Sequence, residues 1–255
     1  MSGAKARVDL DGTKEALAQL GLMHASEALE GLLNQAVKKN TVPHRFLDQL
    51  LTVETTNREE RRIKTSLRLS GLPTGQTLGN FDWGFQPGVQ RSQIETLATC
   101  AWIQAHETLL LQGPPGVGKT HLAVSLGVKA VENGFLVAFY RLEDLLHAMK
   151  QDAELPPRRL KGKKYLKASL LIVDEIGFQP LTRQEASLFF RLVSYRYQKG
   201  SMLITTNKSV KDWPEVLAGD TVMTTALLDR LLHKCHVINI KGRSYRLRDL
   251  ERILK

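Results

Sequence analysis

The chain reads as an α/β protein: a mainly parallel five-stranded sheet between helices, preceded by a small all-helical N-terminal domain. Three observations predict this. The first 70 or so residues carry no strand-like run, only apolar residues at three- and four-residue spacing. A turn-rich stretch follows. Beyond it, short apolar runs alternate with helical segments, the pattern of βαβ units whose strands are covered on both faces.

In chain order, Leu17, Leu20 and Met23, then Ala28, Leu29, Leu32, Leu33, Ala36 and Val37, predict amphipathic helices. Thr41-Val42-Pro43-His44 breaks the pattern, with Pro43 suited to the first turn of the next helix. From Phe46, Leu47, Leu50 and Leu51 through Val53 and Arg58-Glu59-Glu60-Arg61-Arg62-Ile63 to Leu69, one long charged third helix is expected. Gly71-Leu72-Pro73-Thr74-Gly75 stops it. The resulting plan is a helical domain over 1–70, binding DNA or a protein partner, a linker over 71–88, and an α/β domain over 89–255. That domain opens with a helix over about 89–104. Its strand runs are Thr108 to Leu111, Phe135 to Phe139, Leu170 to Val173, Met202 to Ile204 and Val237 to Ile240.

Composition sets outer limits. An apolar fraction of 42% and 24% charged residues are those of an ordinary soluble globular protein. No apolar run approaches the roughly 20 residues that span a bilayer. The start MSGAKARVDLDG has no apolar stretch of the signal-peptide kind, so a cytoplasmic protein without membrane contact is expected. Cys100 and Cys235 stand far apart and outside any metal-ligand spacing. The formal charge of +10 favours polyanions as partners.

The chemistry lies in the βα turns. Leu109 to Gln112, then Gly113-Pro114-Pro115-Gly116-Val117-Gly118-Lys119-Thr120, form a strand, a glycine-rich loop and a helix start that continues from His121. Glycines let backbone N–H groups converge on phosphate oxygens at the positive end of the helix. Residues 113–121 are therefore the candidate nucleotide-binding set. Lys119 is suited to reach the β and γ phosphates, and the Thr120 hydroxyl to ligate Mg²⁺.

The strand Leu170-Leu171-Ile172-Val173 runs into Asp174-Glu175. Strand ends of a parallel sheet open onto the ligand crevice, which puts Asp174 near the glycine-rich loop, holding the metal directly or through water. Glu175 points elsewhere and suits polarising a water for attack on the γ phosphate. Leu203-Ile204-Thr205-Thr206-Asn207 is a further apolar strand with a polar end. Asn207 there suits orienting that water, with Thr205 or Thr206 as alternatives; an asparagine at a strand end is also a turn former. In the helix Thr225 to His233, Arg230 suits a guanidinium offered to a neighbouring subunit's nucleotide; the alternative is a surface pair with Asp229.

Taken together, GPPGVGKT, LLIVDEIG, LITTN, LLDRLLH and the closing Lys241-Gly242-Arg243-Ser244-Tyr245-Arg246 resemble the IstB-like ATP-binding proteins of bacterial insertion sequences. These are relatives of DnaC-type helicase loaders within the AAA+ ATPases. The similarity extends across essentially the whole chain, including Phe46-Leu47 through Arg61-Arg62 and the stretch from Gly71-Leu72-Pro73 to Asn80-Phe81-Asp82. The resemblance implies an AAA+ P-loop NTPase that uses ATP and Mg²⁺, assembles on double-stranded DNA as an ATP-dependent homo-oligomer, and assists a transposase in selecting target DNA. It makes residues 113–120 the Walker A loop, Asp174 and Glu175 the Walker B pair, Asn207 the first sensor and Arg230 the trans-acting arginine finger. Only fifteen residues follow Ile240, so no C-terminal lid domain is expected, and Arg243 or Arg246 stands in for the arginine a lid would carry.

Two basic clusters are candidates for DNA contact. Arg158, Arg159, Lys161, Lys163, Lys164 and Lys167 fall within ten residues that include no acid. Arg58, Arg61, Arg62, Lys64 and Arg68 lie on the third helix, diluted by Glu59 and Glu60. Two other functions share the motifs: a DnaC-like replicative helicase loader, and a P-loop kinase acting on a small molecule. The kinase fits less well with Glu175 beside Asp174, which suits activation of water rather than delivery of an acceptor hydroxyl.

Overall fold

The computed structural model describes residues 9–248. It divides into two compact units between Thr65 and Ser66.

The smaller unit is helical. Asp9 caps α1 (Leu10–Gln19) by accepting from the Asp11 amide, and α2 (Met23–Lys38) follows the turn at Gly21. The third helix, α3 (Pro43–Ser70), begins at the expected proline and crosses the boundary. Ala25, Leu29 and Leu50 form the buried centre, with Leu17, Leu32, Leu33 and Phe46 packed around them. Glu54 is buried there, accepting from the Ala25 amide at 2.9 Å and from Arg58 Nε at 2.7 Å. Those contacts, the amide foremost, hold its carboxyl below the usual range.

The larger unit opens with α4 (Arg91–Ala98) and α5 (Ala101–Gln104). The single helix expected over 89–104 is thus two. Cys100 between them has a left-handed backbone, φ +64°, and the Trp102 indole turns back to donate to the Leu97 carbonyl at 2.9 Å. The bend lets Ile94, Leu97, Trp102 and Ile103 all be buried.

Next come β1 (Thr108–Gln112), α6 (Lys119–Glu132), β2 (Val137–Arg141) and α7 (Leu142–Gln151). β2 starts two residues later than its apolar run, because the Phe135 amide is used to close α6 on Ala130 O at 2.9 Å. After the short α8 (Pro157–Leu160) and α9 (Lys164–Lys167), β3 (Leu170–Ile176), α10 (Arg183–Arg196) and β4 (Ser201–Thr206) follow. Then come α11 (Trp213–Val216), α12 (Thr221–Leu232), capped by the Asp220 side chain on the Met223 amide, and β5 (Cys235–Asn239).

All five strands are parallel, in the order β2-β3-β4-β1-β5. β1, β3 and β4 lie inside the sheet and are almost wholly buried, which is why their apolar residues run consecutively rather than alternating. β3 extends past the apolar run and includes Asp174 and Glu175. Its pairing to β4 slips there: Val173 faces Ile204 but Ile176 faces Thr206, so two residues oppose Thr205 alone. Among the described residues no helix is long and apolar enough to cross a membrane.

Candidate functional site

The β1 strand delivers the glycine-rich loop to the carboxyl edge of the sheet, and α6 starts at Lys119 with its free amides facing the loop. Two glycines there are sterically required. Gly116 has φ +80° and touches Ser244, and Gly118 has φ +95° with the Phe81 ring 2.7 Å from where a Cβ would stand. Lys119 Nζ donates to the carbonyls of Gly113 and Pro114, both at 2.8 Å. Burial, and then the charge of Arg246, push its ammonium below the usual value, while Asp174 and Glu175 pull it back up.

β3 and β4 supply the carboxylates and their partners. Asp174 is buried, and the Thr120 hydroxyl lies 3.0 Å from each of its oxygens. A hydroxyl and a carboxylate held side by side fit Mg²⁺, a hard cation usually held by one or two protein oxygens together with phosphate and water. Glu175 sits at the bulge with φ +65°, a conformation that costs a non-glycine residue about 1 to 2 kcal/mol. It is turned out of the strand into a cavity of about 500 Å³, where its carboxylate lies 3.7 Å from Arg141 Nε on β2.

That cavity is large enough for a nucleotide. Residues 115–121 form its floor, and Glu175, Phe178, Thr205 and Asn207 one wall. Of the three polar residues ending β4, Thr206 is turned to the Lys208 backbone, and the Thr205 hydroxyl is taken up by Asp174 Oδ1 and the Glu175 amide. Neither is available to orient a water. Asn207 is exposed at the cavity, and its side chain makes no hydrogen bond among the described residues.

The remaining walls come from two segments, one that motif reading left outside the site and one where it placed only a substitute arginine, Arg243 or Arg246. The stretch expected as a linker lines the cavity through Gln76, Asn80, Phe81, Asp82 and Gln86. The Phe81 ring meets His121 edge-on at 5.3 Å, and His121 Nε2 contacts Thr77 O at 2.9 Å. From the chain after β5, Tyr245 donates its amide to Gly116 O at 2.9 Å and Arg246 faces the cavity. Arg243 instead lies over the Phe85 ring, its carbonyl accepting from Gln86 Nε2. The available signal was Phe81, Trp83 and Phe85 at alternate positions in a stretch otherwise rich in turn formers.

Arg230 is not brought to this cavity. It donates to Ala226 O at 2.6 Å, stacks over Phe190 at 5.2 Å and makes no ion pair with Asp229 among the described residues. It lines a second cavity of about 320 Å³ beside Thr108 and Met202, at the amino ends of β1 and β4. The basic clusters are partly consumed by structure. Lys163 pairs with Asp152 at 2.6 Å, and Lys164 donates to Leu69 O at 2.7 Å at the end of α3. The side chains of Arg158, Arg159, Lys161 and Lys167 are exposed and make no hydrogen bond or ion pair among the described residues. Arg58 holds Glu54 and Gly21 O, and Arg62 holds Glu59, while Arg61, Lys64 and Arg68 are exposed and make no hydrogen bond or ion pair among the described residues.

Residues 15–252 match the family model described as IstB-like ATP binding protein. The chain is 46% identical over 236 residues to the protein named as the ATP-binding protein of insertion sequence IS21 in Pseudomonas aeruginosa, covering 91% of this chain and 88% of that one. It is 36% identical over 231 residues to the corresponding protein of IS5376 in Geobacillus stearothermophilus, covering 91% and 92%. The solved structure of DnaI superposes with a TM-score of 0.54 at 18% identity, over 70% of this chain and 94% of that one, a likeness of fold. An AAA+ P-loop fold, a cavity floored by the glycine-rich loop and a family match over most of the length agree. The chain belongs to the IstB-like ATP-binding proteins of insertion sequences.

Proposed function

We propose that this protein is an Mg²⁺-dependent ATPase that assembles on duplex DNA and assists a transposase in choosing and preparing target DNA. The observation that carries the ATPase reading is the bulge in β3, which puts Glu175 into the P-loop cavity beside Asn207 while Asp174 stays behind on Thr120. Lys119 and the loop amides bind the β and γ phosphates. Thr120 and Asp174 hold Mg²⁺, which when bound offsets charge on those phosphates. Glu175 accepts the proton of a water that Asn207 orients, and Arg246 adds a positive charge from the chain's own side of the cavity.

Arg230 completes the site of a neighbour. Its place at the amino ends of the strands, on a cavity separate from the P-loop, supports a role in trans and hence an oligomer. Arg230→Ala is expected to bind ATP as wild type does while DNA-stimulated hydrolysis falls about 1000-fold. Mixing it with Glu175→Gln restores part of the activity, because one class of mixed interface then has both groups intact. If the mixture stays as inactive as its components, Arg230 does not act in trans.

DNA contact is assigned first to Arg158, Arg159, Lys161 and Lys167. Phosphate contacts of this kind give affinity without sequence preference. Each replacement by glutamine is expected to lower the slope of log affinity against log salt by about 0.9 on duplex DNA. An unchanged slope in the fourfold variant places the DNA elsewhere. The whole reading is tested by electron microscopy of the protein with duplex DNA and a slowly hydrolysed ATP analogue, together with capture of partners. Multimers on DNA and recovery of the transposase are expected. A monomer on DNA overturns the assembly, and recovery of a replicative helicase instead favours the loader.

A further inference from the structure

Opposite the bulge in β3 stands a single residue, Thr205, whose side chain the ATPase mechanism does not use. Two residues of β3, Asp174 and Glu175, share its one position on β4. Its hydroxyl spends both capacities on them: it donates its proton to Asp174 Oδ1 and accepts the Glu175 amide N–H at 2.9 Å. Thr205 is 1% exposed, and its bond to Asp174 is buried. The Glu175 amide it receives belongs to the residue at φ +65°.

We infer that Thr205 is a positioning residue that locks the bulge, holding the metal-binding carboxylate and the water-activating carboxylate in fixed relation. The hydroxyl has only one proton, so donating to Asp174 and accepting from Glu175 are fixed together. On the other side of Asp174, Thr120 Oγ1 lies 3.0 Å from both carboxylate oxygens, so the group is clamped between two hydroxyls. Without the Thr205 hydroxyl the Glu175 amide loses its partner, and its left-handed backbone loses the bond that opposes relaxation into the regular strand. Relaxation swings a strand residue toward the opposite face of the sheet, away from the cavity. The P-loop contacts that bind nucleotide are untouched.

This inference rests on the reading of Glu175 as the base, and the experiment separates the two. Steady-state hydrolysis and nucleotide affinity are measured for Thr205→Val, which keeps the shape and removes the hydroxyl, for Thr205→Ser, which keeps the hydroxyl, and for each combined with Glu175→Gln. Thr205→Val is expected to lower kcat roughly 10- to 100-fold with the Kd for ATP within about threefold of wild type. Thr205→Ser is expected to stay within about threefold on both. Adding Thr205→Val to Glu175→Gln should cause no further loss, since the base it positions is already gone. If Val is not tolerated in the fold, Thr205→Ala makes the same comparison. Wild-type turnover in Thr205→Val, or equal losses in Val and Ser, overturns the inference while leaving Glu175 as the base. Normal hydrolysis in Glu175→Gln overturns both.

Discussion

Glu175→Gln is expected to bind ATP within about threefold of wild type and to hydrolyse it about 1000-fold more slowly. The side chain is nearly half exposed at the cavity and makes no hydrogen bond or ion pair with the glycine-rich loop among the described residues, so its amide analogue leaves the hydrogen bonds of the phosphate site intact. What is lost is the acceptor for the water's proton, an interaction made only as the reaction proceeds, and such losses appear in kcat rather than in binding. The bulge itself is preserved, because its bonds come from the backbone amide of residue 175 and from Thr205. Isothermal titration with ATP and a phosphate-release assay on the same preparation check both halves. A variant that turns over normally removes Glu175 from the mechanism.

Lys119→Ala is expected to weaken ATP binding by about 100-fold and, with it, to abolish hydrolysis at ordinary nucleotide concentrations. The ammonium is half-buried and held by the carbonyls of Gly113 and Pro114, so it is already in place before phosphate arrives. A charged hydrogen bond of this kind contributes roughly 1.5 to 3 kcal/mol, and two phosphate contacts in a partly dry site reach a factor of a hundred. The lowered pKa of this lysine reflects first the cost of burying its charge. Titration with a fluorescent ATP analogue gives the result directly, and affinity close to wild type would falsify the placement of Lys119 on the phosphates.

Much of this was legible in local sequence. The strands inside the sheet are short continuous apolar runs, and the order strand, GPPGVGKT, helix needs no long-range information. Three features were not legible, each because a distant partner sets it. The break at Cys100 serves the burial of Trp102 and Ile103. The bulge at Glu175 exists only against the register of β4, some thirty residues away, so no pattern in LLIVDEIG announces it. The cavity walls at residues 76–86 and at Tyr245, beside the anticipated Arg246, come from the two flanks of the domain and meet over Gly116 and Gly118. In the basic clusters composition could not show that Lys163, Lys164, Arg58 and Arg62 also have carboxylate or backbone carbonyl partners within the chain.

The strand order β2-β3-β4-β1-β5 has a consequence for how the chain matures on the ribosome. The glycine-rich loop emerges early, but β1 finds its two neighbours, β4 and β5, only after roughly ninety and more further residues have been made. Until then β1 has both edges open, an arrangement of high contact order that folds slowly and invites pairing with the wrong chain. The helical unit at the N-terminus closes through local contacts and does not wait. Because Tyr245 and Arg246 belong to the cavity wall, that wall is assembled only after β5 and the segment behind it have been made, and a ligand that needs the wall favours the assembled fold over shorter nascent forms.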